Sequence, residues 1–190
     1  SSRILITSNS DLDGTYGEPT DTWGNITLIS SGVSNISYCT IENGRRLATR
    51  IGYYGGGLYL GTSSVTVTST TIRNCIAGYG GAIIVAGTTS PVISGCIITG
   101  NSAIEQGGAI YVAGGSSPVI TNTIIYSNSS LSTTRSGGSV ASIASSPKII
   151  NTTIAYSSSP AAGGKSVYLE NSPDARIINT IIWGSSDNIG

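Results

Sequence analysis

The sequence contains no histidine, methionine or phenylalanine, and only 9% of its 190 residues are charged. The absence of histidine excludes Ser-His-Asp and Cys-His catalytic machinery and most zinc sites. Nine basic residues balance nine acidic ones without a run of like charge, so neither nucleic acid nor an anionic membrane is expected as a partner. No apolar run approaches the length of a membrane span, so membrane insertion is not expected either.

What the chain does contain is a repeat. An isoleucine recurs at intervals of 26 to 31 residues, and a small Cys or Thr side chain lies two residues before each one. Such a period is typical of solenoids, propellers or arrays, in which one unit buries its apolar face only against its neighbours. The repeated isoleucines, which we expect to form a core ladder, are Ile41, Ile72, Ile98, Ile125, Ile154 and Ile182.

Each repeat reads as a Gly-Gly pair followed by three short strands separated by Ser, Gly and Asn turns. Strands this short pair best with their counterparts one repeat away, which predicts an all-β fold, a single-stranded parallel β-helix (solenoid) of about six to seven coils. A two-sheet sandwich is the alternative. It is disfavoured because sandwiches do not keep one side chain at a fixed position through six units.

Alternation along the strands assigns side chains to the inside or outside of each coil. The isoleucine positions point inward, while Lys148 and Arg176 mark an outward position of the second strand. On the first strand the middle position is expected to face solvent or a partner. Its members are Tyr59, Ile84, Tyr111, Ala141 and Tyr168.

The three cysteines are predicted to be free. Cys39 and Cys96 share an inward position but lie two coils apart. Strand spacing then separates their Cα atoms by about 9.6 Å, whereas a disulfide permits roughly 7 Å. Cys75 occupies a different position in the repeat, so no pair is placed to bond.

Two segments carry a family resemblance. Residues 90–101 (SPVISGCIITGN) and 106–112 (QGGAIYV) resemble right-handed parallel β-helix repeats of large secreted bacterial and archaeal surface proteins, including polymorphic outer-membrane-protein-like and pectate-lyase-like repeats. The resemblance implies a right-handed coil and an extracellular or cell-surface location. It leaves function open, because these repeats occur in enzymes, adhesins and surface-structure proteins alike.

The chain is expected to form one domain over residues 1–190, with first coils and an acidic loop in 1–33 and regular repeats in 34–190. Neither end offers an amphipathic capping helix, so the open edges predict contacts through the end coils. The domain is therefore expected to be a segment of a longer protein or a stacking subunit. Its partners would be further copies of itself or other domains of the same surface protein.

The acidic loop is the candidate metal site. Asp11, Asp13 and Asp21 lie close in sequence, and carboxylate oxygens at such spacing suit Ca²⁺. The loop lacks the regular third ligand and the bidentate Glu of an EF-hand, so a solvated polar loop is the alternative. No other cofactor is expected.

A corner of variable length between the third strand and the next Gly-Gly pair is the candidate binding edge. Its first copy carries arginines beside aromatic residues, a combination that grips acidic glycans or a neighbouring subunit. The alternative is a solvated insertion. The candidate ligand-binding residues are Arg45, Arg46, Arg50, Tyr53 and Tyr54.

The carboxylates from the second coil onward do not stack in pairs, as a glycosidase would require, so an enzyme is not expected. The sequence favours an extracellular structural or assembly module of a cell-surface or filamentous structure, with end-to-end self-stacking. Two alternatives stay open: a carbohydrate-binding or adhesive module, and a non-catalytic part of a polysaccharide lyase or hydrolase.

Overall fold

The computed structural model describes residues 4–6, 23–29, 33–46, 55–61, 65–135, 137–161 and 164–184. This part of the chain consists of short strands joined by turns, and all paired strands run parallel. In chain order the strands are β1 (Ile4–Ile6), β2 (Ile26–Leu28), β3 (Ser34–Ser37), β4 (Cys39–Glu42), β5 (Arg45–Arg46), β6 (Leu58–Leu60), β7 (Val65–Thr68), β8 (Thr71–Arg73), β9 (Ile76–Tyr79), β10 (Ile83–Val85), β11 (Val92–Ser94), β12 (Ile97–Thr99), β13 (Ser102–Gln106), β14 (Ile110–Val112), β15 (Val119–Thr121), β16 (Ile124–Tyr126), β17 (Ser129–Ser130), β18 (Val140–Ile143), β19 (Lys148–Ile150), β20 (Thr153–Ala155), β21 (Val167–Glu170), β22 (Arg176–Ile178) and β23 (Ile181–Trp183).

The strands form four parallel sheets that the chain visits in turn in each coil. Sheet 1 has the order β2-β6-β10-β14-β18-β21, and sheet 2 has the order β3-β7-β11-β15-β19-β22. Sheet 3 has the order β1-β4-β8-β12-β16-β20-β23, and sheet 4 has the order β5-β9-β13-β17. Each strand pairs with the strand one coil before or after it, as the repeat predicts, so the protein is an all-β parallel solenoid.

The isoleucine ladder is confirmed. In sheet 3, Ile72 pairs with Ile41 and Ile98, and Ile125 pairs with Ile98 and Ile154. These five side chains are fully buried, whereas Ile182, which pairs with Ile154, packs against the core while half-buried. One ladder thus holds successive coils in register, because a slip by one residue would turn every isoleucine outward.

The complete coils number about five, slightly fewer than the six to seven expected. The strand β1 precedes the first complete coil, and β21, β22 and β23 follow the last. The expectation was too high because the six repeated isoleucines span only five intervals, and the part-coils at either side each contribute strands.

Sheet 4 lies at the corner that was expected to be a loop of variable length, so that expectation is corrected. Strands β5, β9, β13 and β17 lie within the segments interpreted as variable loops, and β9 and β13 reach the ends of theirs. Small inward side chains make this possible: Ala77 pairs with Ala103, and Ala103 pairs with Ser130. Alanine and serine carry no aliphatic alternation, so the usual sequence signal of a strand is missing here.

The turn between sheets 2 and 3 explains the turn residue seen in every repeat. At this corner the backbone adopts the left-handed conformation, with φ between 47° and 61°. Asparagine and glycine enter this region at low cost, which accounts for their recurrence. The corner residues are Tyr38, Ser69, Gly95, Asn122, Asn151 and Asn179.

All three cysteines are free and buried, as predicted. The backbone N–H of Cys39 donates to Thr70 Oγ1, and that of Cys96 donates to Thr123 Oγ1, both at 3.4 Å. Cysteine and threonine therefore alternate in one inward ladder, where either fits the space. Among the described residues, no helix is long and apolar enough to cross a membrane.

Cys75 is expected to resist alkylation in the folded protein. The pKa of its thiol is raised from 9.0 to about 12, chiefly by burial; the backbone hydrogen bond with Gly44 lowers the pKa and the charge of Glu42 raises it. At pH 8.5 the thiol is therefore protonated and unreactive. We expect iodoacetamide to modify Cys75 slowly in the native protein and rapidly in urea, as measured by mass spectrometry of the peptide.

The raised pKa of Cys75 also makes the free energy of unfolding depend on pH. Between about 9 and 12 the unfolded chain releases the Cys75 proton while the folded chain keeps it, so stability falls as pH rises. Alkylation of Cys75 in the native protein as fast as in urea would contradict the burial and the raised pKa of its thiol.

Candidate functional site

The outer face of sheet 1 carries tyrosines at every second coil. Tyr59, Tyr111 and Tyr168 occupy one outward column and are half-buried, while Ile84 and Ala141 fill the coils between them. The expectation that the whole column faces solvent or a partner is wrong for these two residues. Ile84 is 1% and Ala141 0% exposed. Tyrosine rings therefore alternate with buried aliphatic side chains along this face. We call the column of Tyr59, Ile84, Tyr111, Ala141 and Tyr168 the tyrosine track.

A fourth ring joins the tyrosine track from sheet 4. Tyr79 is the last residue of β9, and its ring centroid lies 4.9 Å from that of Tyr111 with an interplanar angle of 43°. Aromatic pairs at this separation prefer tilted or offset arrangements, so the contact helps to fix both rings. It brings together a residue of sheet 1 and a residue of the corner that the sequence suggested was a loop.

Two grooves flank the ring of Tyr79. One, of about 300 Å³, lies towards sheet 1 and is lined by Tyr79, Ile84, Ala86, Tyr111, Ala113 and Gly114. The other, of about 330 Å³, lies towards sheet 4 and is lined by Gly78, Tyr79, Ile104 and Glu105.

A register shift in β13 shapes the second groove. The pairing of β13 with β9 is irregular between Ala103 and Gln106, which is the signature of a β-bulge. As a consequence Ile104 and Glu105 are both exposed although they are consecutive in the strand. An apolar side chain and a carboxylate therefore share one groove wall.

A polar network holds the far end of the tyrosine track. The hydroxyl of Tyr168 donates to Glu170 Oε2 at 2.9 Å, and Arg135 Nη2 lies 3.4 Å from Glu170 Oε1. Burial raises the pKa of Tyr168, the hydrogen bond and charge of Glu170 raise it further, and the charge of Arg135 opposes them. The network restrains the direction of the Tyr168 side chain.

The structure describes two of the five predicted ligand-binding residues. Arg45 and Arg46 form β5, a strand of sheet 4 rather than a loop, and both are exposed. Arg46 Nη1 donates to Asn25 Oδ1 at 3.2 Å. The other members, Arg50, Tyr53 and Tyr54, lie outside the described residues, as do the candidate calcium ligands Asp11, Asp13 and Asp21.

One buried carboxylate lies near β5. Glu42 is 3% exposed, and the guanidinium of the stacked Arg73 donates to its Oε2 from Nε at 2.6 Å. A single acid paired with an arginine supplies no second carboxylate for glycoside hydrolysis. Among the described residues, no group of three or more His, Cys, Asp or Glu side chains is placed to hold a metal ion.

The outer face of sheet 3 is apolar. From β12 to β23 its outward side chains carry no charge, and several are large and exposed. Tyr156, at the corner beyond this face, contacts Trp183 edge-on at 5.2 Å between ring centroids. The outward residues are Ile97, Thr99, Ile124, Tyr126, Thr153, Ala155, Ile181 and Trp183.

Sequence reasoning missed Tyr79 and Glu105 because both fell in segments interpreted as loops. The signal that would have placed them is a small inward residue five positions after the repeated isoleucine: Ala77, Ala103 and Ser130. Counting from it places Tyr79 at the end of a strand beside the Gly80-Gly81 pair.

The fold and the stacked columns define a class of protein, the parallel β-solenoids. The family model described as a right-handed β-helix region matches residues 2–123 and 81–189. The two matches overlap and span nearly the whole sequence, so the chain belongs to this right-handed β-helix family. The comparison with curated proteins and the comparison with solved structures each give no match.

Proposed function

We propose that this β-helix is a structural module of an extracellular or cell-surface assembly, and that it associates through the outer face of sheet 3. The observation that carries the proposal is the exposed apolar surface of that face. The resemblance to secreted surface proteins supports the extracellular location, which fractionation of the source cells tests.

The exposed side chains are large. On the outer face of sheet 3, Ile124 is 48%, Tyr126 38%, Ile181 64% and Trp183 61% exposed. Contiguous apolar patches on a protein surface mark interaction sites, because leaving them in water costs free energy that burial recovers. Isolated apolar residues would be unremarkable, but these lie in two pairs, Ile124 with Tyr126 on β16 and Ile181 with Trp183 on β23. The one strand between them, β20, presents the uncharged Thr153 and Ala155.

The lack of charge on this face favours association between copies of the chain. A two-fold interface places each patch against itself, so any charge near the axis would meet its own like charge. Sheet 3 avoids this from Ile97 onward, whereas Arg73 and Glu42 lie towards the first coils.

The last described coil offers a second mode of association. Its inward side chains Leu169, Ile177 and Ile182 pack against the core but are only half-buried. A further coil, from the same protein or another copy, would bury them and pair the strands of this coil. End-to-end contact and side-by-side contact are compatible in one assembly.

A lysine at the centre of the sheet 3 face is expected to block side-by-side association. Ile124→Lys places two like charges across a two-fold contact and should raise the dissociation constant at least about tenfold, a change of about 1.4 kcal/mol. Sedimentation velocity over a concentration series measures this, with electron microscopy to detect filaments.

Val92→Lys is the matched control. Val92 is 36% exposed on sheet 2, and Lys148 already occupies the same outward column. This variant should associate like the wild type. A wild-type protein that stays monomeric at high concentration, without filaments, would contradict the assembly function.

We propose that the module is non-catalytic. Incubation with neutral and uronate polysaccharides should release no new reducing ends and no unsaturated products. A second candidate function, carbohydrate binding, is favoured by the two grooves beside Tyr79.

A further inference from the structure

We propose that the tyrosine track binds an extended chain of neutral sugars along the solenoid axis, with Tyr79 and Tyr111 as its central stacking pair. The inference deepens the carbohydrate-binding candidate and is independent of assembly through sheet 3. It involves binding only, without a chemical step.

The composition of the grooves suits a sugar. Binding sites for small molecules are concave, mostly apolar and aromatic, and carry a few polar groups that fix orientation. The walls here combine the rings of Tyr79 and Tyr111 with Ile84, Ile104 and the carboxylate of Glu105. A pyranose has one apolar face of C–H groups and a rim of hydroxyls, and so matches a wall with both features.

The tilted pair divides the surface into two adjacent sites. The ring of Tyr79 borders both grooves, of about 300 and 330 Å³. Its contact with Tyr111 at 4.9 Å restricts the movement of either ring. Rings that are already ordered lose less conformational entropy when a ligand binds, which increases affinity.

The spacing of the track matches a chain rather than a single sugar. Tyr59, Tyr111 and Tyr168 stand at alternate coils in one register. Strand spacing places them about 9.6 Å apart, close to the length of two pyranose units in an extended chain. Every second sugar can therefore stack on a tyrosine.

The charge in the grooves selects neutral sugars over acidic ones. Among the described residues that line them, Glu105 is the charged one. Its carboxylate accepts hydrogen bonds from sugar hydroxyls. It also repels a uronate carboxylate at short range. An apolar peptide, the competing ligand, would leave the Glu105 carboxylate without donors.

Calorimetric titration of the whole chain with two linear hexasaccharides, one neutral β-1,4-linked and one of uronates, tests the proposal. We expect binding of the neutral hexasaccharide and much weaker binding of the uronate. Tyr111→Ala should weaken neutral binding at least about tenfold, because the central stacking surface is lost. Tyr111→Phe keeps the ring and should bind within a few-fold of wild type.

Tyr38→Ala is the matched control, since Tyr38 is an exposed tyrosine at the corner between sheets 2 and 3, away from the grooves and from the outer face of sheet 3. It should bind the sugar like wild type, and circular dichroism checks that each variant is folded. Glu105→Gln should narrow the difference between the neutral and uronate ligands. The proposal is overturned by an absence of neutral-sugar binding, by an equal loss in Tyr38→Ala, by preferred uronate binding, or by binding of an apolar peptide alone. None of these results bears on the sedimentation test of assembly.

Discussion

Replacing Asn101 with leucine is expected to destabilise the protein by about 2 kcal/mol or more, since it takes the acceptor from the buried backbone N–H of Cys75 and the side-chain donor from the carbonyl oxygens of Ile72 and Thr99. Asn101 is 1% exposed and lies at the inward corner between sheets 3 and 4. Leucine has a similar volume, so the packing is largely kept and the lost hydrogen bonds dominate the effect.

The hydrogen bonds of Asn101 join three coils. Its Oδ1 accepts from the backbone N–H of Cys75 at 3.0 Å, and its Nδ2 donates to the carbonyl oxygens of Ile72 and Thr99 at 3.1 and 3.0 Å. The backbone N–H of Asn101 donates to Asn128 Oδ1 at 3.0 Å, and Nδ2 lies 3.0 Å from the same oxygen, so the two asparagines form a ladder. The bond from Cys75 supplies an acceptor to a buried backbone donor at the corner, whereas the carbonyl oxygen of Thr99 also accepts from the backbone N–H of Asn74.

Asn35→Leu is the control for this substitution. Asn35 is exposed on β3, and there the change should alter stability by no more than about 0.5 kcal/mol. Urea unfolding followed by circular dichroism measures both variants. If Asn101→Leu unfolded at the same urea concentration as Asn35→Leu, the ladder would not contribute to the stability of the coils.

The sequence predicts the solenoid because periodicity and alternation are both strong in this chain. Ile98 recurs one coil away as Ile72 and Ile125, and the register of the paired strands matches that repeat. The exposure of Lys148 and Arg176 is predicted for the same reason, since charged side chains avoid the core.

Features that depend on contacts between coils could not be predicted in this way. The burial of Ile84 results from its neighbours and not from its own position in the strand, which points outward. The bulge that exposes both Ile104 and Glu105 breaks the alternation from which faces are assigned. Candidate site residues therefore emerged where the regular pattern fails.

The Arg45 prediction illustrates the same limit. Clustered arginines and tyrosines indicated a binding loop, but Arg45 and Arg46 belong to a strand of sheet 4. Their exposure is consistent with binding. A ligand-binding role for Arg45 and Arg46 together with Arg50, Tyr53 and Tyr54 stays a prediction.

Gly108→Ala is the second substitution for which we expect a large loss of stability, because it should prevent normal stacking of the coils. Gly108 is one of a Gly-Gly pair at the corner that leads into sheet 1, where the backbones of adjacent coils approach closely. A Cβ atom there would collide with the carbonyl oxygens of Gly138 and Ser129 and lie 2.6 Å from the Ser129 carbonyl carbon. Backbone atoms held by parallel pairing cannot move aside as a flexible side chain can. We therefore expect destabilisation of at least about 3 kcal/mol, or failure to fold.

Gly24→Ala separates this steric effect from the general consequence of replacing a glycine. A Cβ atom at Gly24 meets no atom within 4 Å, so this variant should be as stable as the wild type or slightly more stable. Urea and thermal unfolding of the three proteins measure the difference. If Gly108→Ala unfolded within about 0.5 kcal/mol of Gly24→Ala, the close approach of the coils would not be the reason that glycine pairs recur. If the expected difference is found, the Gly-Gly pairs set the distance between coils, while the isoleucine and asparagine ladders fix the register and satisfy the turns.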